Sequence, residues 1–241
     1  MIAATRSART ADLAAALGVS EVTIRGDLAH LHRVGSVQRT HGGAVVTIQG
    51  DMLASFATRA KENADAKLRI ARYAAGLIRS GQAIIVDAGT TTYALAQAIR
   101  PNLGLTVFTH GINVAQQIAS LGQNEVHILG GILSSDTIET IDDGRDHRLD
   151  DVVAHYAFLG AGGVDVDLDI TEGTLAVATT KRNMIRAARR KVLLVDSSKW
   201  SAVAPVKAMS ISSFDMVITD SGLPEANQEQ LRSLGVDLKV V

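Results

Sequence analysis

A chain of 241 residues, 46% of them hydrophobic and 20% charged, is long enough to bury one large or two modest cores. Its formal net charge of −1 excludes a protein coated in nucleic acid, and its lack of cysteine excludes a disulfide framework or a cysteine-based zinc site and fits a reducing cytoplasm. One Trp, three Tyr and four Phe are too few for a base-stacking platform, no apolar run approaches the ~20 residues of a membrane span, and the N-terminus shows no signal-peptide apolar region.

Thr10 is placed to cap a first helix on which Leu13 and Leu17 sit at i and i+4, and Gly18 then supplies permissive backbone for a sharp turn. Ser20 is a good N-cap for a second helix, in which Ile24, Leu28 and Leu31 repeat at helical spacing as a core stripe. Glu21, Thr23 and Arg25 are left on the other face, near the N-terminus, where a recognition helix meets base edges and phosphates. Beyond Gly35, Ser36 to His41 alternates like a strand, and Gly42-Gly43 turns the chain back toward Ala44 to Val46. Helix, turn, helix and hairpin in that order predict a winged helix-turn-helix domain over residues 1–46, with double-stranded DNA as partner. Its contact residues are read as Ser20, Glu21, Thr23, Arg25, Arg39 and His41, the last two reaching phosphates from the wing. Five Arg against three acids give this stretch a local basic excess.

Residues 47–66 have no sustained apolar period and read as a linker, so the second domain is placed at 67–241. It opens with a helix marked by Ile70, Ala74, Leu77 and Ile78, solvated by Lys67, Arg69 and Arg72. Short apolar strand candidates follow at Ala83 to Asp87, Leu105 to Thr109, Val126 to Leu129, Ala157 to Leu159, Val192 to Asp196, Met216 to Thr219 and Leu238 to Val241. Helical stretches fall between several of them, at Thr92 to Arg100, Val114 to Leu121, Thr180 to Ala188 and Pro224 to Leu234. Alternation of buried strands with helices predicts an α/β domain, a Rossmann-like parallel sheet whose ligand site lies beyond the carboxyl ends of its strands.

At those ends, Asp87-Ala88-Gly89-Thr90-Thr91-Thr92 follows a strand and opens a helix, which presents hydroxyls and backbone N–H groups suited to a phosphate. It is neither a Walker A loop nor a GxGxxG dinucleotide turn. Thr109-His110-Gly111 with Asn113, Gly130-Gly131, Gly160 to Asp165 and Asp196 to Lys199 each follow a strand as well. Small residues there let a ligand approach the backbone, Asp165 can accept from sugar hydroxyls, and Lys199 can neutralise a phosphate. The effector site is read as Asp87, Gly89, Thr90, Thr91, Thr92, Thr109, His110, Gly131, Gly160, Asp165 and Lys199, with no cofactor and no metal.

Together these residues resemble the DeoR family of bacterial transcription regulators over nearly the whole chain. The N-terminal resemblance rests on Leu17 to Leu28, Leu31, Gly35 and Thr40 to Ala44, and the C-terminal one on Asp87 to Thr91, Gly130-Gly131, Phe158 to Asp165, Lys181 to Met184 and Asp196 to Lys199. The resemblance implies a winged helix joined to a sensor domain similar in fold to ribose-5-phosphate isomerase, which binds a phosphorylated sugar or related metabolite and alters DNA binding. It further implies a cytoplasmic homo-oligomer, a dimer or tetramer, acting as a repressor of a carbohydrate operon and not as an enzyme.

Family members usually carry a further helix before the one at Thr10, where only Met1 to Arg9 stand here, so the domain is expected to lack its first helix and to expose Ile24, Leu28 and Leu31. Gly26 stands where the family commonly has Arg, Asp142 and Asp169 where Gly is usual, and Val177 where Glu is frequent. The alternatives are an effector-binding protein with weakened DNA binding and a sugar-phosphate isomerase, for which Asp165, Glu172, Lys181 and Lys199 could supply acid-base groups, but no Lys-Gly-Gly-Gly run accompanies them. Asp165, Asp167 and Asp169 fail the EF-hand template and read as a solvated acidic loop, and Arg186, Arg189, Arg190 and Lys191 as a charged helix end.

Overall fold

The computed structural model describes residues 7–33, 37–40, 42–46, 56–134, 136–142, 147–200 and 202–241, with backbone alone for residues 7, 30–33, 37–39, 45 and 46. The chain divides into two compact units, Met1–Ala54 and Ser55–Val241.

In the first unit, β1 (Ser7–Arg9) leads into α1 (Thr10–Leu17) and α2 (Glu21–Arg33), followed by β2 (Val37–Thr40) and β3 (Gly43–Val46). The three strands form one antiparallel sheet in the order β1-β3-β2, with β3 in the middle. Gly18 ends α1 in the left-handed conformation at φ 67°, its amide donating to the Ala14 carbonyl, which is the turn expected between the helices. Ser20 Oγ accepts from the Thr23 amide at 3.1 Å, satisfying one of the orphan donors at the start of α2. Thr10 does not cap α1: it is the first helical residue, buried, and its amide donates to the Gly42 carbonyl at 2.9 Å, while Arg9 stands at the N-cap without a side-chain bond. Gly43 is dictated by strand pairing, since a Cβ there would lie 2.2 Å from the Ala8 carbonyl oxygen.

The small core holds Leu13, Ala14, Ile24, Leu28 and Ala44, with Ala8 against it. Ile24 and Leu28 are each 3% exposed, contrary to the expectation that they would lie bare, because α1 and the sheet cover that face. Among the described residues of this unit Leu17, Val19 and Val22 are the large apolar ones left exposed, so the expected pairing of Leu13 with Leu17 as one buried stripe holds for Leu13 only. Leu31 is described as backbone alone.

The second unit begins earlier than expected. Part of the stretch expected as linker is helical, with α3 (Phe56–Lys61) followed, after a left-handed Asn63, by α4 (Ala64–Ala75). Periodicity misses α3 because six residues cover under two turns and Phe56 is its sole large apolar side chain. Seven strands then form a wholly parallel sheet: β4 (Ala83–Val86), β5 (Thr106–Thr109), β6 (Glu125–Ile128), β9 (Ala154–Leu159), β12 (Ala188–Leu194), β14 (Met216–Thr219) and β15 (Asp237–Val240). Their order is β15-β14-β12-β9-β4-β5-β6, so successive strands run outward from β4 in one direction and then from β9 in the other. The reversal between β4 and β9 is the topological switch point, where a crevice opens at the carboxyl ends.

Side chains alternate between two cores along each strand, as period two demands. Ile84, Val86, Phe158, Val192, Leu194 and Ile218 face α4, α5 (Thr90–Ala98) and α6 (Ile112–Ala119), while Ile85, Ala157, Leu159, Leu193 and Val217 face α7 (Leu175–Arg186) and α8 (Glu225–Ser233). Two smaller antiparallel sheets are not visible in the sequence pattern: the hairpin β7 (Ile132–Ser134) with β8 (Glu139–Ile141), and β10 (Gly163–Val164), β11 (Asp169–Glu172) and β13 (Val206–Ser210). Arg189, Arg190 and Lys191 lie in β12 rather than at a helix end, and Arg190 stacks over the Tyr156 ring, its guanidinium carbon 5.8 Å from the centroid.

Candidate functional site

Strand β4 runs out at Val86 directly into the crevice, and Asp87, Ala88 and Gly89 carry the chain into α5. The first helical bond of α5 is Tyr93 N–H to the Gly89 carbonyl at 2.8 Å, and Thr92 Oγ1 donates to the same carbonyl at 3.1 Å. No side chain caps this end, so among the described residues the amides of Thr90, Thr91 and Thr92 have no protein acceptor. Free amides at the positive end of a helix attract an anion. Gly111, at the end of the neighbouring strand, packs so closely on this loop that a Cβ would meet Ala88 Cα at 3.1 Å.

Behind the loop lies a buried charge network. Lys181 Nζ, on α7, stands 2.9 Å from Asp87 Oδ2 and 2.5 Å from Glu172 Oε1, and donates to the Gly160 carbonyl at 2.9 Å. The Gly160 amide donates back to Asp87 Oδ2 at 2.9 Å, the Gly162 amide donates to Glu172 Oε1 at 3.0 Å, and His110 Nε2 shares a proton with Asp87 Oδ1 at 2.8 Å. Glu139 Oε2 stands 3.8 Å from His110 Nδ1 on the far side. Burial alone would push the Asp87 carboxyl up, but the Lys181 ammonium and the His110 bond hold it down at about 2. Burial works against the charged His110 ring as well, yet Asp87 and Glu139 hold its pKa above the ordinary value. Glu172 is raised by burial and by the Asp87 charge, against the pull of Lys181, whose own pKa burial would lower and the two carboxylates raise. Asp87 and Lys181 are 0% and 5% exposed, so these groups fix the loops that end β4, β5 and β9 and are not free to meet a ligand.

The structure thus gathers Asp87, Gly89, Thr90, Thr91, Thr92, His110 and Gly160 at one rim. Thr109 is buried and its hydroxyl accepts from the Gly111 amide at 3.1 Å, so it shapes the turn. Gly131 lies just before β7, the first strand of the hairpin, and at φ 136° a Cβ would sit 2.0 Å from the Ile141 carbonyl oxygen. Asp165 stands apart: its Oδ1 accepts from the amides of Asp167 and Asp169 at 3.0 and 2.8 Å, closing its own turn. Asp169, expected in a solvated loop, is buried and paired with Lys207. Lys199 ends a short 3-10 turn, Ser197–Lys199, that follows β12 along the same rim. Beside His110 a cleft is lined by Gly130, Thr140, Asp142, Asp150, Thr180 and Asn183. Sequence reasoning counts Lys181 in the family resemblance and, with Glu172, in an enzyme alternative without joining either to Asp87, and it does not single out Glu139, because a lone charged residue in a helix or strand ordinarily faces water.

In the first unit, Ser20, Glu21, Thr23 and Arg25 are all exposed on the first turns of α2. Arg25 Nη2 pairs with Glu21 Oε2 at 2.8 Å on the helix surface. Ser20 spends its oxygen on the cap, where it also lies 2.9 Å from Thr23 Oγ1. Arg39 is described as backbone in β2, and His41 lies outside the described residues.

Comparison with known proteins gives matches over both units. The family model described as the DeoR C terminal sensor domain matches residues 62–221, and that of the DeoR-like helix-turn-helix domain matches residues 1–49. The chain is 30% identical to the glycerol-3-phosphate regulon repressor of Escherichia coli K12, covering 96% of this chain and 91% of that one. It is 29% identical to the L-fucose operon activator of Haemophilus influenzae, covering 90% and 87%. Among solved structures, ribose 5-phosphate isomerase A of Methanocaldococcus jannaschii aligns with a TM-score of 0.41 at 20% identity, over 58% of this chain and 55% of that one.

Proposed function

The chain belongs to the DeoR family of transcription regulators, and from that premise we propose that it is a DNA-binding repressor of a sugar or carbohydrate operon, controlled by a phosphorylated sugar bound in its C-terminal domain. The observation that carries this reading is one chain joining a winged helix-turn-helix to a parallel sheet whose switch point ends in Asp87 to Thr92. Thr23 and Arg25 contact the major groove, and Arg39 and His41 the phosphates beside it. The effector's phosphoryl group is held by the Gly89 to Thr92 backbone and by Lys199, and its hydroxyls enter the cleft beside His110. Asp87 and His110, with Lys181, hold the loops in place, and Asp165 has no direct part because its carboxylate is engaged in its own turn.

A homo-oligomer, dimer or tetramer, places two winged helices on spaced half-sites, and the effector favours one arrangement of it in the cytoplasm. No helix among the described residues is long and apolar enough to cross a membrane. Of the residues that could move protons, Glu172 and Lys181 are buried and paired and Asp165 is engaged in its own turn, which supports a binding role over catalysis. The test is a titration of DNA from upstream of the chain's own gene, with and without a panel of sugar phosphates, followed by an assay of the same phosphates for turnover. A shift of DNA affinity by one sugar phosphate without turnover is the expected result. Isomerisation with no DNA binding would overturn the reading.

A further inference from the structure

Lys67, in the first turns of α4, is expected from the sequence to solvate that helix and is instead only 4% exposed. Among the described residues its ammonium makes one hydrogen bond, to the Arg59 carbonyl in α3 at 2.5 Å, and no ion pair. Two of its three donor directions are therefore without a protein acceptor. The charges that act on it are Asp196 and Glu62 against Lys199 and Arg59. Among the described residues neither carboxylate forms an ion pair with it, so the ammonium sits in a desolvated place with a single hydrogen bond. Burial, the largest influence, drives its pKa down, and Lys199 adds to the effect while Asp196 opposes it.

The surroundings are built and not accidental. Asn63 Nδ2, at the entry of α4, donates to Asp196 Oδ1 at 3.1 Å and to Ser198 Oγ at 3.0 Å, and Ser198 in turn donates to Asp196. The α4 entry is thereby pinned to the end of β12, one residue from Lys199. At the other end of α3, the Phe56 ring meets Tyr93 of α5 edge-on at 5.5 Å, and the Phe56 amide donates to the Asp136 carbonyl at 3.3 Å. Helix α3 thus lies across the rim between the helix whose N-terminus receives the anion and the strand end that carries Lys199.

We propose that Lys67 is a second cationic ligand of the effector's phosphoryl group, acting with Lys199, and that by exchanging the Arg59 carbonyl for that group it reports occupancy to α3, where the chain enters the sensor unit. The inference rests on the phosphosugar reading above and adds a residue to it. An anion offers acceptors to the open donor directions and a charge for the ammonium to pair with.

Inorganic phosphate serves as probe for the full-length protein. Its affinity is read by NMR titration, and hydrogen exchange is followed at the amides of residues 56–63 with and without phosphate. Lys67→Met is expected to weaken phosphate binding about tenfold or more and to abolish the phosphate-dependent change in exchange, whereas Lys67→Arg keeps most of the affinity. Phosphate affinity of Lys67→Met within about twofold of the parent would overturn the proposal while the parent's own binding upholds the site. A parent that does not bind phosphate at all overturns both. Should Lys67→Met fail to fold, the parent's Lys67 ammonium resonance decides: it must shift on phosphate addition, and an unmoved signal at saturation refutes the assignment.

Discussion

Removing the Lys181 ammonium tests whether the charge network holds the crevice together. In the parent, Nζ neutralises Asp87 and Glu172 at 2.9 and 2.5 Å in a site where both carboxylates are buried. Lys181→Met keeps the aliphatic stem but leaves Glu172 without its cation and Asp87 with His110 alone, and breaking a buried pair from one side costs about 3–5 kcal/mol. In a domain of this size each kcal/mol lowers Tm by about 2–4 °C, so the variant should melt roughly 6–20 °C below the parent at neutral pH. The loss must also depend on pH. Glu172 is already raised by burial and by the Asp87 charge, and without Lys181 it rises further, while Asp87 loses the larger of the two partners that hold it down, so the variant loses stability relative to the parent as pH rises through the raised Glu172 value. The parent behaves oppositely at Asp87, whose contribution is present above 3.8 and lost as pH falls toward about 2. Melting curves by circular dichroism from about pH 4.5 to 7.5 should show the gap between parent and variant closing toward acid. A drop smaller than about 2 °C at neutral pH, or a gap that stays constant with pH, would refute the assignment of this network as the brace of the site.

His110 has a raised pKa, so its stabilising contribution is full below the ordinary value of 6.5 and disappears as pH rises through the folded one. His110→Gln should flatten that slope, which urea midpoints at about pH 6 and pH 8 would show. Gly131→Ala forces a Cβ to within 2.0 Å of the Ile141 carbonyl at a φ of 136°, and a destabilisation above about 2 kcal/mol, with β7 and β8 displaced, is expected by chemical denaturation. Gly26, exposed in mid-α2 with nothing within 4 Å of the position a Cβ would take, should accept Ala with a gain of about 1 kcal/mol in the N-terminal unit's unfolding free energy. Arg25→Ala should weaken DNA binding by about 1–3 kcal/mol and reduce its salt slope by roughly one, as followed by fluorescence anisotropy across salt concentrations.

All seven strands of the parallel sheet were legible in order, the central ones because strands buried on both faces read as apolar runs, as Ile84 to Val86 and Met216 to Ile218 do. The small antiparallel sheets were not, since Gly163-Val164 and Ile132 to Ser134 are too short to carry a period. In the winged helix, Gly18, Ser20 and Gly42-Gly43 announced their turns through backbone chemistry that is local to each residue. Thr10 misled for the complementary reason: a threonine before a helix is a cap or an ordinary buried residue according to whether Gly42 stands over its amide, and that is a tertiary contact.

The same division runs through the site. Asp87 to Thr92 could be recognised as an anion-receptive loop, since a strand end, small residues and a helix start are all written in consecutive positions. Only the folded chain brings Lys181, nearly a hundred residues on, between Asp87 and Glu172, and only burial turns Lys67 from a solvated helix residue into an unpaired ammonium at the rim. Sequence determines what is local and periodic: caps, turns, apolar alternation and the identity of each charge. Which charges lose their water, and which partners they then find, depends on residues distant in the chain, and that was decided by the tertiary structure alone.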